Sequence, residues 1–201
     1  MSAPTRTGAP KRAAKALATG RRVLLRFPES GDREPFLALR RASRTLHSRW
    51  EQRAPKGEDP YGPEAFARYL SASRAARKRR LLVCRREDGA IVGSLSLSEI
   101  TRGAVQSAIL GYWVGAPFAG RGYMREALAL LARHAFEDLG LHRLEALILP
   151  ENGASRRLAA RAGFRLEGCS RRLVKLRGRW RDHERWALTV EDLRQRPQSR
   201  R

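Results

Sequence analysis

The sequence predicts a single α/β domain with a central mixed β-sheet and helices on both faces of that sheet. Its 201 residues are 42% hydrophobic, which is enough to enclose one full core. Strand-like and helix-like stretches follow one another in the order βααβββαβαββ, which favours one sheet covered by helices. Near the middle of the chain, an apolar strand leads through a glycine turn directly into an amphipathic helix (109–139).

The first half of the chain is predicted to contain a strand, two helices and a β-hairpin. Glu87-Asp88-Gly89 has the composition of the tight turn that joins hairpin strands. The expected bounds are a strand at 22–27, helices at 32–47 and 63–77, and hairpin strands at 80–86 and 91–97.

The second half is predicted to alternate strands with helices and to end in an antiparallel pair. The helix after Gly122 has apolar residues at i, i+3, i+4 and i+7 spacing, and Gly140 is suited to end it. That apolar face consists of Met124, Ala127, Leu128, Leu131, Ala135 and Leu139. The other expected elements are strands at 106–115 and 142–149, a short helix closed by Gly163, and paired strands at 165–176 and 180–190.

Both ends of the chain read as basic tails around a domain at 21–193. Residues 1–20 contain no acidic residue and are rich in Ala, Arg, Lys, Gly and Pro, which predicts a disordered basic tail. The segment also resembles an Arg-rich transit peptide, but its prolines and glycine interrupt an amphipathic helix. Residues 194–201 form the second predicted tail.

Composition indicates a cytoplasmic protein with no membrane span. No apolar run reaches the ~18 residues that a membrane helix needs, and no secretory signal is present. Cys84 and Cys169 are expected to be reduced thiols, and no metal site is expected. The net charge of +22 either reflects arginine-rich composition or indicates proximity to RNA or the ribosome through the basic tails.

The glycine turn at Gly120 and Gly122 is a candidate anion site. Backbone N–H groups at a helix N-terminus, approached through residues with little side chain, can bind a phosphate or pyrophosphate. The spacing is not that of a P-loop, and Arg125 at the third glycine position excludes the dinucleotide fingerprint.

Two segments resemble the GNAT N-acetyltransferases, which use acetyl-CoA. The glycine turn is similar to their pyrophosphate loop, and the pattern from Asn152 through Ser155 to Gly163-Phe164 is similar to their next conserved block. The resemblance is nearest to the RimJ/RimL type, the ribosomal-protein-alanine N-acetyltransferases. It is carried by Leu110-Gly-Tyr, Gly122-Tyr-Met-x-Glu-Ala-Leu128, Leu166-Glu-Gly168 and Trp180-Arg-Asp-His183.

The resemblance implies a GNAT fold and a set of residues that bind acetyl-CoA. Ala119 stands where the family usually has Gln or Arg, so the loop would act there through its backbone alone. A backbone N–H near the end of the 106–115 strand would stabilise the thioester oxyanion, a contribution of about 3–4 kcal/mol in comparable sites. The implied cofactor residues are Trp113, Val114, Gly115, Ala119, Gly120, Arg121, Gly122, Tyr123, Met124, Asn152 and Ser155.

The resemblance also implies roles in catalysis and in binding the acceptor. Ser155 matches a position that protonates the leaving thiolate, or else it is a hydroxyl in the first turn of a helix. Glu151 is the first candidate for the general base, with Glu167 and Glu145 as others; each could instead be a surface carboxylate or part of an ion pair. Trp50 is expected at the substrate side, or else as a core anchor.

The predicted reaction is transfer of acetyl from acetyl-CoA to a protein N-terminal α-amine, such as that of a ribosomal protein. An α-amine has a pKa of ~7.7–8, so a weak base suffices, whereas a lysine at ~10.4 needs more help. Two alternatives remain open: an acetyltransferase for small amines or antibiotics, and a weakly catalytic protein that binds RNA or the ribosome. The oligomeric state is expected to be monomer or homodimer.

Overall fold

The computed structural model describes residues 15–195, which form one eight-stranded mixed sheet. Its strands are β1 (Ala16–Thr19), β2 (Val23–Arg26), β3 (Arg79–Arg85), β4 (Ile91–Thr101), β5 (Ser107–Val114), β6 (Arg143–Ile148), β7 (Arg165–Leu176) and β8 (Arg179–Thr189). They lie in the order β1-β2-β3-β4-β5-β6-β8-β7. Within this sheet β5 and β6 run parallel, and the other neighbouring strands run antiparallel.

Helices cover both faces of the sheet. They are α1 (Arg33–Ala42), α2 (Arg44–His47), α3 (Pro63–Ser71), α4 (Tyr123–Arg133), α5 (Gly153–Ala162) and α6 (Val190–Arg194), and α4 continues into a π-helical turn at His134–Asp138. On β3, Leu82 and Cys84 pack with Phe36 of α1 and Phe66 of α3, whereas alternate residues of the strand join the core under α4 and α5. The predicted fold class is confirmed.

Short-range signals fix the ends of the helices that matter most for the site. Gly122 precedes α4 at φ 81°, a left-handed conformation that glycine adopts without strain. The Asn152 side chain accepts a hydrogen bond from the Ser155 N–H at 3.1 Å, so Asn152 is the N-cap of α5. Gly163, at φ 91°, ends the same helix.

The structure corrects the expected bounds at three places. Ala16–Thr19 forms β1, so the predicted tail of residues 1–20 ends too late; residues 1–14 and 196–201 lie outside the described part of the chain. The helix predicted at 63–77 ends at Ser71 and is followed by a 3₁₀ turn over Ala72–Arg74. The helix predicted at 32–47 is divided at Ser43 into α1 and α2.

A tertiary contact explains the division between α1 and α2. The Ser43 hydroxyl donates to the Leu39 carbonyl at 2.7 Å and accepts from the Ala116 N–H at 2.9 Å. A serine hydroxyl that bonds the backbone in this way competes with regular helical hydrogen bonding. The break therefore ties α2 to the segment that follows β5.

No helix among residues 15–195 has the combination of length and apolarity needed to cross a bilayer.

Candidate active site

The two parallel strands of the sheet separate toward their carboxyl ends. Pairing of β5 with β6 covers Ser107 to Ile109, opposite Arg143 to Glu145, while β6 continues to pair with β8 as far as Ile148. The remainder of β5, from Leu110 to Val114, therefore borders a gap that β6 does not close. A gap of this kind exposes backbone groups that a ligand can bind.

One hydrogen bond determines which β5 amides face the gap. The Gly115 N–H donates to the Val92 carbonyl at 2.8 Å, on the β4 side. Because hydrogen-bonded and non-bonded pairs alternate along an antiparallel ladder, Trp113 also faces β4, whereas Tyr112 and Val114 face the gap. Of the three residues expected to supply the oxyanion donor, Val114 thus has the suitable orientation, and the N–H groups of Trp113 and Gly115 do not.

The glycine turn presents its backbone at the same end of the sheet. Residues 119–122 are exposed, and Gly120 and Gly122 have φ values of 74° and 81°. A Cβ added at Gly120 would meet nothing within 4 Å, so the space beside this turn is open. Tyr123 and Met124 are instead only 7% and 5% exposed and pack in the core, so a pyrophosphate at this turn would meet their N–H groups rather than their side chains. These residues fit the pyrophosphate of CoA.

A pair of hydroxyls lies beside the gap, on the face of the sheet that carries α4 and α5. Tyr112 Oη and Ser155 Oγ are 2.6 Å apart. Burial raises the pKa of Tyr112, so its hydroxyl stays protonated near neutral pH. The Asn152 cap fixes the first turn of α5, and with it the position of Ser155. The arrangement suits protonation of a thiolate that leaves within the gap.

A cavity of about 320 Å³ opens on the opposite face of β5. Trp113 and Gly111 reach this face because side chains alternate along a strand. The walls combine aromatic rings with the guanidinium groups of Arg40 and Arg80 and one carboxylate, Glu51. The other lining residues are Phe36, Pro60, Ala65, Tyr69, Ser94, Ser96 and Tyr112. An acceptor in this cavity would reach the gap from the side opposite Ser155.

The structure places Glu51, rather than Trp50, in the wall of this cavity. Trp50 is half-buried and its ring lies 4.6 Å from the Arg49 guanidinium carbon, but it is not among the residues that line the cavity. The role of Trp50 as a substrate contact stays a prediction. The sequence of the loop at 48–62 does not reveal that the Glu51 side chain is the one in the cavity wall.

A partly buried hydrogen-bond chain connects the cavity to the end of β5. Arg40 binds both carboxylate oxygens of Glu51, at 2.7 and 2.8 Å, and its Nη1 lies 3.2 Å from His47 Nδ1. His47 Nε2 lies 2.8 Å from the Val114 carbonyl oxygen, which can only accept, so Nε2 carries the proton. The sequence does not reveal this chain, because its members converge only in space.

We expect His47 to make stability depend on pH. Burial lowers the pKa of His47 below its ordinary value of 6.5, because the charged ring is poorly solvated and faces Arg40. Since the folded state binds this proton less readily than the unfolded state, stability is full above pH 6.5 and decreases as the pH falls below it. Melting temperatures measured above and below pH 6.5 should vary less with pH in His47→Gln than in the unmodified protein. Parallel curves for the two proteins would contradict this assignment.

The three carboxylates predicted as candidate bases all form ion pairs with arginine. Glu151 pairs with Arg181, while Glu145 and Glu167 both pair with Arg143. Arg143 lowers the pKa of Glu167, which weakens it as a base. Glu151 keeps an exposed carboxylate at the end of β6, and its role as a base stays a prediction. Glu51 is the carboxylate that the structure adds to these candidates.

Asp182 and His183 do not form a dyad, because successive side chains of a strand point to opposite faces. Asp182 accepts the Arg172 N–H at 2.7 Å, whereas the buried His183 places Nδ1 3.1 Å from the Arg181 carbonyl oxygen. Across residues 15–195, no group of three or more His, Cys, Asp or Glu side chains is arranged to hold a metal ion.

Separated parallel strands, a glycine turn that presents its backbone and a hydroxyl pair beside the gap together fit an acyltransferase domain of the CoA-binding type. A family model described as the acetyltransferase (GNAT) domain matches residues 22–165. The chain therefore belongs to the GNAT acetyltransferase domain family, as the sequence indicated.

Several characterised or named proteins are similar to the chain. The probable N-acetyltransferase YjcK of Bacillus subtilis (strain 168) is 42% identical over 105 residues, which cover 52% of this chain and 58% of YjcK. The [ribosomal protein uS5]-alanine N-acetyltransferase of Escherichia coli (strain K12) is 37% identical over 102 residues, covering 51% and 53%. The chain thus spans about half the length of the curated relatives it matches.

A solved structure extends the similarity over most of the domain. Mycobacterium smegmatis RimJ in complex with CoA-disulfide superposes with a TM-score of 0.78 and 34% identity, covering 86% of this chain and 84% of that chain. The resemblance to the RimJ/RimL type is confirmed, and acetyl-CoA is confirmed as the cofactor that this type of domain uses. The residues of this chain that would hold it remain those inferred from the geometry above.

Proposed function

We propose that this chain is an acetyl-CoA-dependent N-acetyltransferase whose acceptor is the N-terminal α-amine of a protein, and specifically of a ribosomal protein. The observation that carries the proposal is the gap beside β5, with the Val114 N–H directed into it, Ser155 on one face and an acceptor cavity on the other. The name of the E. coli relative, a [ribosomal protein uS5]-alanine N-acetyltransferase, supports this acceptor class.

In the proposed reaction, the thioester carbonyl lies in the gap and the amine arrives from the cavity. Bound acetyl-CoA supplies the activated acetyl group. The Val114 N–H stabilises the oxyanion that forms when the amine attacks the carbonyl carbon. Ser155 donates its proton to the departing thiolate as it takes the phenolic proton of Tyr112, 2.6 Å away, and Tyr112 then recovers a proton from solvent. Residues 119–122 keep the pyrophosphate in place through backbone N–H groups.

The charges of the cavity favour a monocationic α-amine over a polycationic acceptor. Arg40 and Arg80 outnumber the single carboxylate of Glu51 in the lining, so a polyamine would meet repulsion. Glu51 is already bound to Arg40, yet a carboxylate has about four lone-pair sites, so it can also accept from one ammonium group. We assign Glu51 the role of binding the ammonium form of the acceptor α-amine. The ammonium proton then passes to solvent.

An acceptor panel tests the proposal. Peptides that begin with Ala or Ser should release CoA thiol from acetyl-CoA, whereas the same peptides blocked at the N-terminus but carrying a free lysine should not. Glu51→Gln should lower kcat/KM for the peptide by about tenfold or more, and the exposed Glu151→Gln serves as the matched control. Turnover confined to a small amine would overturn the protein acceptor, and an equal or larger loss in Glu151→Gln would return the role to that residue.

The proposal also concerns the partners and location of the chain. A ribosomal-protein acceptor places the enzyme in the cytoplasm, where the net charge of +22 attracts it to ribosomal RNA. The basic tails would contribute to this attraction. Deleting residues 1–14 and 196–201, which leaves β1 and α6 in place, should reduce the binding of RNA and its dependence on salt while leaving peptide acetylation unchanged.

A further inference from the structure

A second cavity lies at the same end of the sheet and is lined mainly by arginine. Its volume is about 320 Å³. It lies where the β1–β2 turn, the end of β3 and the first turn of α4 meet, on the β2 side of α4 and away from the gap beside β5. The lining residues are Arg21, Arg22, Arg85, Arg86, Glu87 and Tyr123.

Neutral groups hold two of these guanidinium groups in place. Arg86 Nη1 donates to the carbonyls of Gly20 and Arg21, at 2.9 and 3.2 Å. Arg22 Nη1 donates to the Arg121 carbonyl at 3.0 Å, and its guanidinium carbon lies 4.3 Å from the centre of the Tyr123 ring. Carbonyls and aromatic rings orient a guanidinium group without cancelling its charge.

The cavity therefore carries an excess of positive charge. Arg85 is compensated by Asp88, whose oxygens lie 2.9 and 2.5 Å from its Nε and Nη2. The other three arginines of the lining are Arg21, Arg22 and Arg86, and their positive charges exceed the single negative charge of Glu87. Several guanidinium groups directed at one space match a phosphate group, which can accept charge-assisted hydrogen bonds from more than one of them.

The cavity shares a wall with the glycine turn. Arg22 bonds the carbonyl of Arg121 within that turn, and Tyr123 follows it as the first residue of α4. CoA carries a 3′-phosphate on the ribose next to its pyrophosphate. A pyrophosphate held at residues 119–122 would bring that second phosphate close to the cavity.

We propose that the cavity lined by Arg21, Arg22 and Arg86 binds the 3′-phosphate of CoA and so makes the protein select CoA over dephospho-CoA. The inference rests on the acetyl-CoA part of the proposed function and is independent of the acceptor. It assigns these arginines to the cofactor rather than to the general basic surface of the chain.

Calorimetric titration of the full chain with CoA and with dephospho-CoA tests the proposal without turnover. The unmodified protein should bind CoA about ten to a hundred times more tightly, since charge-assisted hydrogen bonds are lost with the 3′-phosphate. Arg86→Gln and the exposed Arg21→Gln should reduce this preference toward unity, with melting temperatures confirming that both variants fold. Arg102→Gln is the matched control, because Arg102 is also exposed and bonds a carbonyl, that of Leu139, at the opposite end of the sheet.

The outcomes separate this inference from the proposed function. Equal affinity for the two ligands, or a preference that persists in both cavity variants, would overturn the 3′-phosphate assignment alone. Inorganic phosphate can be added to the unmodified protein and to Arg86→Gln. If CoA and dephospho-CoA bind equally well and phosphate raises the melting temperature only when Arg86 is present, the cavity binds a separate anion and the 3′-phosphate assignment is wrong. No binding of either ligand would refute the proposed function as well.

Discussion

Replacing Gly120 by alanine is expected to weaken CoA binding by about tenfold or more while the protein remains folded. Gly120 has a φ of 74°, and a Cβ built on it enters open space rather than the protein. The strain of a left-handed alanine is about 1–2 kcal/mol. The further loss arises because the methyl group takes the space in which the pyrophosphate approaches the backbone. Calorimetry with CoA and a thermal melt measure the two effects separately.

Gly103→Ala is the control for this substitution. Gly103 has a φ of 70°, its added Cβ also meets nothing within 4 Å, and it lies in the β4–β5 turn at the opposite end of the sheet. The Gly103→Ala protein should lose the same stability as the Gly120→Ala protein and should bind CoA normally. Normal CoA binding by Gly120→Ala would show that the turn does not hold the cofactor.

Removing the Ser155 hydroxyl is expected to reduce kcat by about a hundredfold with little change in KM for acetyl-CoA. The hydroxyl acts only when the thiolate departs, so it contributes to the transition state and little to cofactor binding. Tyr112→Phe should reduce kcat in the same direction, because Tyr112 Oη lies 2.6 Å from Ser155 Oγ. The double variant should be little slower than the slower single variant, since the two hydroxyls act as a unit.

Ser98→Ala is the control for Ser155→Ala, because it also removes one serine hydroxyl. Ser98 Oγ donates to the Ile109 carbonyl of β5 at 3.3 Å, on the same pair of strands but away from the gap. Steady-state rates for this variant should equal those of the unmodified protein. A Ser155→Ala enzyme with an unchanged kcat would remove Ser155 from the mechanism and leave protonation of the thiolate to solvent.

Local sequence signals predicted most of the fold, because its elements have clear ends. The Asn152 cap, Gly122 and Gly163 mark helix boundaries through their own conformations. β1 was missed because Ala16–Thr19 is short, has little alternation and depends on its pairing with β2. The break at Ser43 depends on Ala116, which lies far away in sequence, so no local pattern could reveal it.

The residues of the candidate site also fall into two groups, those that the sequence could indicate and those that only the folded structure brings together. The glycine turn could be inferred from the residues themselves, because backbone N–H groups at the start of a helix form an anion site. The role expected of Ser155 came instead from the family resemblance. The alternation that selects Val114 over Trp113 requires the register against β4, which one hydrogen bond from Gly115 establishes. Arg40, His47 and Glu51 come together only when α1, α2 and the following loop fold over β5.

The position of the transferred acetyl group tests the proposed function most directly. The protein is incubated with isotopically labelled acetyl-CoA and a peptide that begins with Ala and carries an internal lysine, and tandem mass spectrometry assigns the label. We expect label on the α-nitrogen of the first residue, with none on the lysine side chain. An unlabelled peptide, or label confined to the lysine, would show that the protein is not an N-terminal acetyltransferase.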